Sequence, residues 1–235
     1  MNKDIPTIYL NEGFIAGEVA GGRHRDLVGG YWGEIGRLQF DFLMKRGLSP
    51  SHRLIDIGCG CLRGGVHFVR HLNAGCYYGI DSSSSLVRAG YELELLPNKL
   101  EAKLPLSNLN VNASFAVEHF GVMFDFALAV SVFTHLPLTY LRLCLERVSQ
   151  VMLPASKFYA SFFFAPEISQ VSLPCLQAVD VVTYADRDPY HYCVEDIIDA
   201  CKGLAWDMAV IGEWGHPRNQ QMVEFTRRKD ATFSS

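Results

Sequence analysis

Two carboxylates and a run of glycines carry the most chemistry in this 235-residue chain. The run is Asp56-Ile-Gly-Cys-Gly-Cys-Leu-Arg-Gly-Gly65, and it follows an apolar stretch, residues 53–57, that reads as a strand. Gly58 and Gly60 let the backbone pass close to a ligand at the carboxyl edge of a sheet, where open α/β folds bind nucleotides. About twenty residues further on, a second strand ends in Tyr77-Tyr-Gly-Ile-Asp81, the place for a carboxylate that accepts both ribose hydroxyls. The two signals together point to an adenosine cofactor, whereas either alone fits a tight turn with a solvated Asp. A dinucleotide fingerprint requires glycine three places after Gly60, and that place holds Arg63. Asp56 adds negative charge that is awkward for a pyrophosphate and suits a ligand carrying an ammonium and a sulfonium. S-adenosylmethionine is such a ligand.

On the acceptor side, an apolar fourth strand, residues 124–130, runs into Ser131-Val-Phe-Thr-His-Leu-Pro137. Methyl transfer is an in-line displacement helped mainly by alignment and exclusion of water, with a base useful for a hydroxyl acceptor. His135 is the base candidate by position and by its reference pKa near 6.5. The alternative is that it caps or packs against the following helix. His191 and Tyr192 are further catalytic candidates, and His216 a weaker one. Arg23, His24 and Arg25 either clamp an anionic acceptor or belong to a solvated arm.

The elements that must position these residues follow an alternating strand and helix pattern. Residues 1–30 are Gly-rich and read as an irregular, mobile arm, and residues 31–47 carry Tyr31, Ile35, Leu38, Phe42 and Leu43 at helical spacing, closed by Gly47. Strands are expected at 53–57, 76–80, 109–112, 124–130, 157–164, 206–212 and 221–227. Helices are expected at 62–72, 84–96, 138–153 and 194–202. The last two strands are joined by a connection too short for a crossover helix, so they pair as an antiparallel hairpin. The expected fold class is therefore α/β, a Rossmann-like, seven-stranded, mostly parallel sheet with an antiparallel C-terminal hairpin and helices on both faces. Residues 1–50 form an arm and helix that cover the acceptor site, and residues 51–235 form the main domain. Residues 165–192 fit neither period and read as an insert over the site.

The chain resembles the class I S-adenosylmethionine-dependent methyltransferases over residues 50–227. The resemblance rests on Leu54-Ile-Asp-Ile-Gly-Cys-Gly60, Tyr78-Gly-Ile-Asp81, Phe124-Asp-Phe-Ala-Leu-Ala-Val-Ser131 and the closing hairpin. It implies that Asp56, Gly58, Cys59 and Gly60 hold the methionine portion and Asp81 with Ser82 the ribose. Asn112 and Ala113 would meet the adenine edge, and Val130 and Ser131 the sulfonium side. The family often has a third glycine where this chain has Leu62. Arg63 either reaches the cofactor carboxylate or forms a surface salt bridge. The implied activity is methylation of a small molecule, a sugar or secondary metabolite, on oxygen or nitrogen, with S-adenosylhomocysteine as product.

Composition narrows the partners. Lys and Arg number 21 against 25 Asp and Glu, a net charge of -4, which offers no field for a phosphate backbone. No window approaches the roughly 18 apolar residues of a membrane helix. Residues 1–6 lack a secretory pattern, so a cytoplasmic location is expected. The seven cysteines show no zinc spacing, and Cys59 with Cys61 read as space-fillers rather than a redox couple. No metal is expected. Two rival readings stay open: a non-catalytic module that binds S-adenosylmethionine, and an NAD-dependent Rossmann oxidoreductase.

Overall fold

The computed structural model describes residues 7–229; the segment read for a secretory pattern, residues 1–6, lies outside them. Seven strands form one sheet in the order β3-β2-β1-β4-β5-β9-β8. The described chain divides into two compact units, residues 7–113 and residues 114–229.

In the first unit, α1 (Glu12–Ala20), α2 (His24–Leu27) and α3 (Trp32–Lys45) precede β1 (Leu54–Ile57). They are followed by α4 (Gly65–His71), β2 (Tyr77–Asp81), α5 (Ser84–Ala89) and β3 (Leu109–Val111). All four residues of β1 are buried, as expected of a parallel strand covered on both faces. β1 pairs in parallel with β2, and β2 with β3. Helix α3 buries Ile35, Phe42 and Leu43 and gives way to Gly47 at φ 90°, the stop its sequence calls for.

Three expectations change in this unit. Residues 12–27, read as part of an irregular arm, form α1 and α2, and Ile15 and Leu27 pack with Cys61, Leu86 and Ala89 in one apolar cluster. The helix expected at 62–72 starts at Gly65, because Leu62 has φ 65°, outside the right-handed helical region. The helix expected through residue 96 leaves α geometry after Ala89 and continues as a π-helical stretch, Gly90–Leu95.

The second unit contains β4 (Phe124–Ala129), α6 (Leu138–Ser149) and β5 (Met152–Phe162), with β4 and β5 parallel. It continues through β6 (Cys175–Ala178), β7 (Val181–Thr183), α7 (Val194–Cys201), β8 (Trp206–Glu213) and β9 (Gln221–Arg227). β5 and β8 both pair antiparallel with β9, so the C-terminal hairpin forms as expected. Its base is fixed by buried Trp206, whose indole donates to the Leu145 carbonyl at 2.9 Å. Residues 165–192 are not wholly irregular: β6 and β7 make a separate antiparallel pair, whose three- and four-residue runs are too short for an alternation to stand out.

Candidate functional site

The glycine loop is built from backbone hydrogen bonds that only its residue types permit. Gly58 and Cys59 both donate to the Ile80 carbonyl, at 2.8 and 3.0 Å. Gly58 and Gly60 have φ of 71° and 51°, where a Cβ is penalised. Gly58 is exposed and Gly60 buried. Leu62, at the place of the third glycine, keeps the left-handed backbone that a glycine would favour and donates to the Cys59 carbonyl at 2.9 Å. Its fully buried side chain fills space left by Gly65 and Gly90, where an added Cβ would come within 2.9 and 2.8 Å of it.

Asp81, at the end of β2 and half-buried, binds the loop to the start of α5. One carboxylate oxygen accepts from the Gly60 N–H and the other from the Ser83 N–H, each at 2.9 Å. Burial raises its carboxyl above the usual range against those hydrogen bonds. Asp56 is buried and accepts the Tyr77 hydroxyl at 2.7 Å. Burial pushes its carboxyl up to about 7; the Tyr77 hydroxyl and the charge of Arg63 pull downward, and that of Asp81 upward. Two carboxyls near one loop are thus both displaced toward the neutral form, the condition in which an added cation is favourable.

Cys59 and Cys61 behave as packing residues. Both are buried, Cys61 donates weakly to the His24 carbonyl at 3.4 Å, and burial raises the Cys61 thiol to about 12. All seven cysteines are free thiols. Among the described residues no cluster of His, Cys, Asp and Glu could hold a metal ion.

Arg63 has backbone partners in the first unit. It is buried, and its Nη1 donates to the carbonyls of Val28 at 2.6 Å and Gly30 at 3.0 Å, fastening the segment before α3 to the glycine loop. The basic trio has acidic partners as well. Arg23 pairs with Glu18, while His24 and Arg25 converge on buried Glu94, the bond from Arg25 being bidentate at 2.7 and 2.8 Å. Glu12 accepts from the hydroxyls of Ser83 and Ser84, both at 2.6 Å, and from the Ser85 N–H at 2.8 Å, so α1 caps α5. Ser82 donates to the Tyr9 carbonyl at 3.3 Å. Asn112 donates from its backbone to the Asp81 carbonyl at 2.9 Å and from its amide to Asn110, next to half-buried Ala113.

In the second unit, half-buried Val130 follows β4, and Ser131 adopts φ 60°. The Ser131 N–H donates to the Ser161 hydroxyl at 2.8 Å, and both hydroxyls donate to the buried Gln220 amide oxygen at 3.0 and 2.7 Å. Such strain at a strand end is typical of functional loops. Four residues later, His135 Nδ1 lies 2.6 Å from Asp188 Oδ1, with the histidine partly exposed. Asp188 is a partner that sequence reasoning did not name. It sits in the 165–192 insert, 53 residues from His135, without any local motif. Insert and loop are fastened together by Tyr190 N–H to the Thr134 carbonyl at 2.7 Å and by the Tyr192 hydroxyl to the Leu136 carbonyl at 2.6 Å.

The other acid-base candidates are engaged in packing. His191 is 1% exposed; its Nε2 meets the Val171 carbonyl at 2.8 Å and its Nδ1 the Thr183 hydroxyl at 2.8 Å. Because a carbonyl only accepts, Nε2 carries the proton and Nδ1 accepts, so both nitrogens serve the insert. Tyr192 is buried, which drives its phenol far above the usual range, and its hydroxyl is a strut for the 131–137 loop. His216 is buried, stacks on Trp214 and accepts the Arg218 N–H at 3.2 Å within its own turn.

No protein-family model matches the chain, and no curated protein sequence matches it. Solved structures do. Magnesium protoporphyrin IX methyltransferase (ChlM) from Synechocystis PCC 6803 with bound SAH has a TM-score of 0.62 at 14% identity, over 93% of this chain and 98% of that one. An O-methyltransferase family protein from Burkholderia thailandensis scores 0.65 at 11% identity over 91% of this chain and 62% of that one. The [4+2]-cyclase SpnF scores 0.65 at 13% identity over 95% and 97%. The fold is that of the class I methyltransferases. Fold alone does not name a reaction, as a cyclase among the similar structures illustrates.

Proposed function

We propose that the protein is a methyltransferase that uses S-adenosylmethionine to methylate a small molecule. The observation that carries this reading is the pair of acids at the glycine loop: Asp81 accepts the Gly60 and Ser83 N–H groups and buried Asp56 accepts the Tyr77 hydroxyl, an arrangement in which burial raises both carboxyls and added positive charge is favourable. A ligand bearing an ammonium and a sulfonium would supply that charge, whereas the pyrophosphate of NAD would add to the repulsion. The similar structures include an amino pentose methyltransferase, CalS10 from Micromonospora echinaspora, solved with SAM bound.

In this reading Asp56, Gly58, Cys59 and Gly60 surround the methionine end, and Asp81 and Ser82 the ribose. Asn112 and Ala113 take the adenine edge, and Val130 and Ser131 the sulfonium side. Arg63 serves by holding the loop's outer cover. When bound, the cofactor supplies an electrophilic methyl group on a positively charged sulfur. The protein's own work is to orient the acceptor, exclude water and accept a proton. His135 takes that last part, ahead of His191 and Tyr192, whose polar atoms are committed to the insert and to the 131–137 loop. Calorimetry with S-adenosylhomocysteine tests the reading. Micromolar binding that Asp81→Ala weakens at least tenfold supports it. No binding to the parent protein, or tight binding of NAD instead, overturns it. Binding without turnover of S-adenosylmethionine in the presence of any acceptor would favour the non-catalytic module.

A further inference from the structure

We infer that α2 is a hinged flap on the glycine loop, latched by Glu94, which must swing out for the cofactor to enter and leave. This rests on the methyltransferase reading and adds a gate to it. The four residues of α2, His24–Leu27, stand between two glycine pairs, Gly21-Gly22 and Gly29-Gly30. Gly22, Gly29 and Gly30 have φ of 76°, 87° and 63°, and Tyr31 continues the left-handed run at 45°. A Cβ added at Gly22 or Gly30 would meet nothing within 4 Å, so it is the backbone and not packing that calls for glycine there. Glycine crosses between backbone conformations without a Cβ to hinder it, and a pair on each side lets the short helix move as one piece.

What α2 and the residue after it press on is the loop itself. A Cβ on Gly60 would lie 3.0 Å from Val28 Cγ1, so Val28 already fills the space through which a ligand would reach that glycine. The His24 carbonyl accepts the Cys61 thiol at 3.4 Å, and the Val28 and Gly30 carbonyls accept Arg63. All of these residues belong to the first unit. The latch is Glu94, in the π-helical stretch Gly90–Leu95. Its carboxylate is buried and receives two bonds from Arg25, at 2.7 and 2.8 Å, and one from His24 Nε2 at 2.7 Å, so both cationic partners come from α2. Against this attraction stands His24 Nδ1, which is buried and has no hydrogen-bond partner among the described residues. Opening would hydrate that atom and relieve the cost of leaving it unsatisfied. A charged latch set against such a cost gives an element that is shut at rest and able to open locally.

Stopped-flow mixing of the full chain with S-adenosylhomocysteine tests the gate, with hydrogen exchange of the ligand-free protein beside it. Trp32 fluorescence supplies the signal, since Arg25 lies over its ring at 4.8 Å. In the parent the observed rate should level off as ligand rises, at the rate of flap opening. Arg25→Gln cuts the latch at its exposed partner and should raise both that plateau and the dissociation rate about tenfold. Glu94→Gln repeats the test from the buried side and should act in the same direction. A merely structural role would speed dissociation and leave the plateau where it was. In exchange, Arg25→Gln should lower protection about tenfold in residues 20–31 and leave β1 and β2 unchanged. A parent rate that stays linear in ligand up to the mixing limit, an unchanged plateau in both variants, or a loss of protection that spreads through β1 and β2 overturns the inference. No binding to the parent fails the cofactor reading and the gate with it, whereas binding with an unchanged plateau fails the gate alone.

Discussion

Replacing Asp56 by asparagine should stabilise the ligand-free protein above neutrality and weaken its hold on the cofactor. Burial lifts the Asp56 carboxyl from 3.8 to about 7. The folded value is the raised one, so the contribution of Asp56 to stability is complete below the unfolded value and is lost as pH rises through about 7. At about 1.4 kcal/mol per pH unit, the loss between about pH 5 and about pH 8 is on the order of 2–3 kcal/mol. Asparagine does not ionise, and its amide oxygen still accepts the Tyr77 hydroxyl that Asp56 accepts at 2.7 Å. The advantage of Asp56→Asn over the parent, measured by urea unfolding, should therefore grow by that amount across this pH range.

Binding gives the opposite sign from the same group. A cationic ligand selects the ionised carboxylate, whose fraction in the free protein rises from roughly one in eleven at about pH 6 to roughly three in four at about pH 7.5. The affinity for S-adenosylhomocysteine should rise about eightfold over that interval, before the ligand's own ammonium begins to titrate near about pH 8. In Asp56→Asn the dependence should flatten. A parent affinity independent of pH, or a variant less stable than the parent at about pH 8, would refute the account of Asp56 as a buried acid waiting for a cation.

Glu12 should behave in the reverse sense. Burial acts to raise its carboxyl, but the bonds from Ser83, Ser84 and Ser85 outweigh it and bring the group from 4.5 down to about 2. Its stabilisation is present above 4.5 and lost as pH falls through about 2, so Glu12→Gln should cost about 1–2 kcal/mol at neutral pH, discounted for partial exposure, and little near pH 2 in paired unfolding curves. Leu62→Gly relieves a left-handed leucine worth about 1–2 kcal/mol but removes a fully buried side chain worth about 2–5 kcal/mol. The second effect wins, and a net loss of about 1–3 kcal/mol is expected in denaturant titration. His191→Ala should lower the melting temperature by removing two buried hydrogen bonds, at about 1–3 kcal/mol, whereas His135→Ala should change stability by less than about 1 kcal/mol and abolish turnover. Equal effects on stability would contradict the division of labour between the two histidines.

What the sequence disclosed depends on how far apart the cooperating residues are. The strands β1 and β2 and the loop between Asp56 and Gly60 are legible because the backbone itself makes the demand: continuous burial for the strands, and left-handed φ at Gly58 and Gly60. Several of the side-chain pairs that hold each unit together are made across long separations. His24 meets Glu94 70 residues away, Arg63 reaches Val28 35 residues back, and Asp188 is 53 residues from His135. No local spacing rule covers such pairs, which is why the first thirty residues read as a free arm when they contain α1 and α2 folded against the glycine loop.

Leu62 shows where a departure from a motif can mislead. A missing glycine suggests a different loop path, yet the backbone keeps the left-handed turn with a leucine in it. The compensation is in the sequence at other places, since Gly65 and Gly90 clear the volume that the leucine fills. The third glycine of the pattern has in effect been exchanged for a buried side chain plus two glycines at its borders. The trade makes a physical prediction about motif reading: a non-glycine residue can occupy a left-handed motif position when apolar burial, at about 2–5 kcal/mol, exceeds the backbone penalty of about 1–2 kcal/mol. By that measure the loop of this chain is a variant of the fold's glycine-rich turn with an anchored third position.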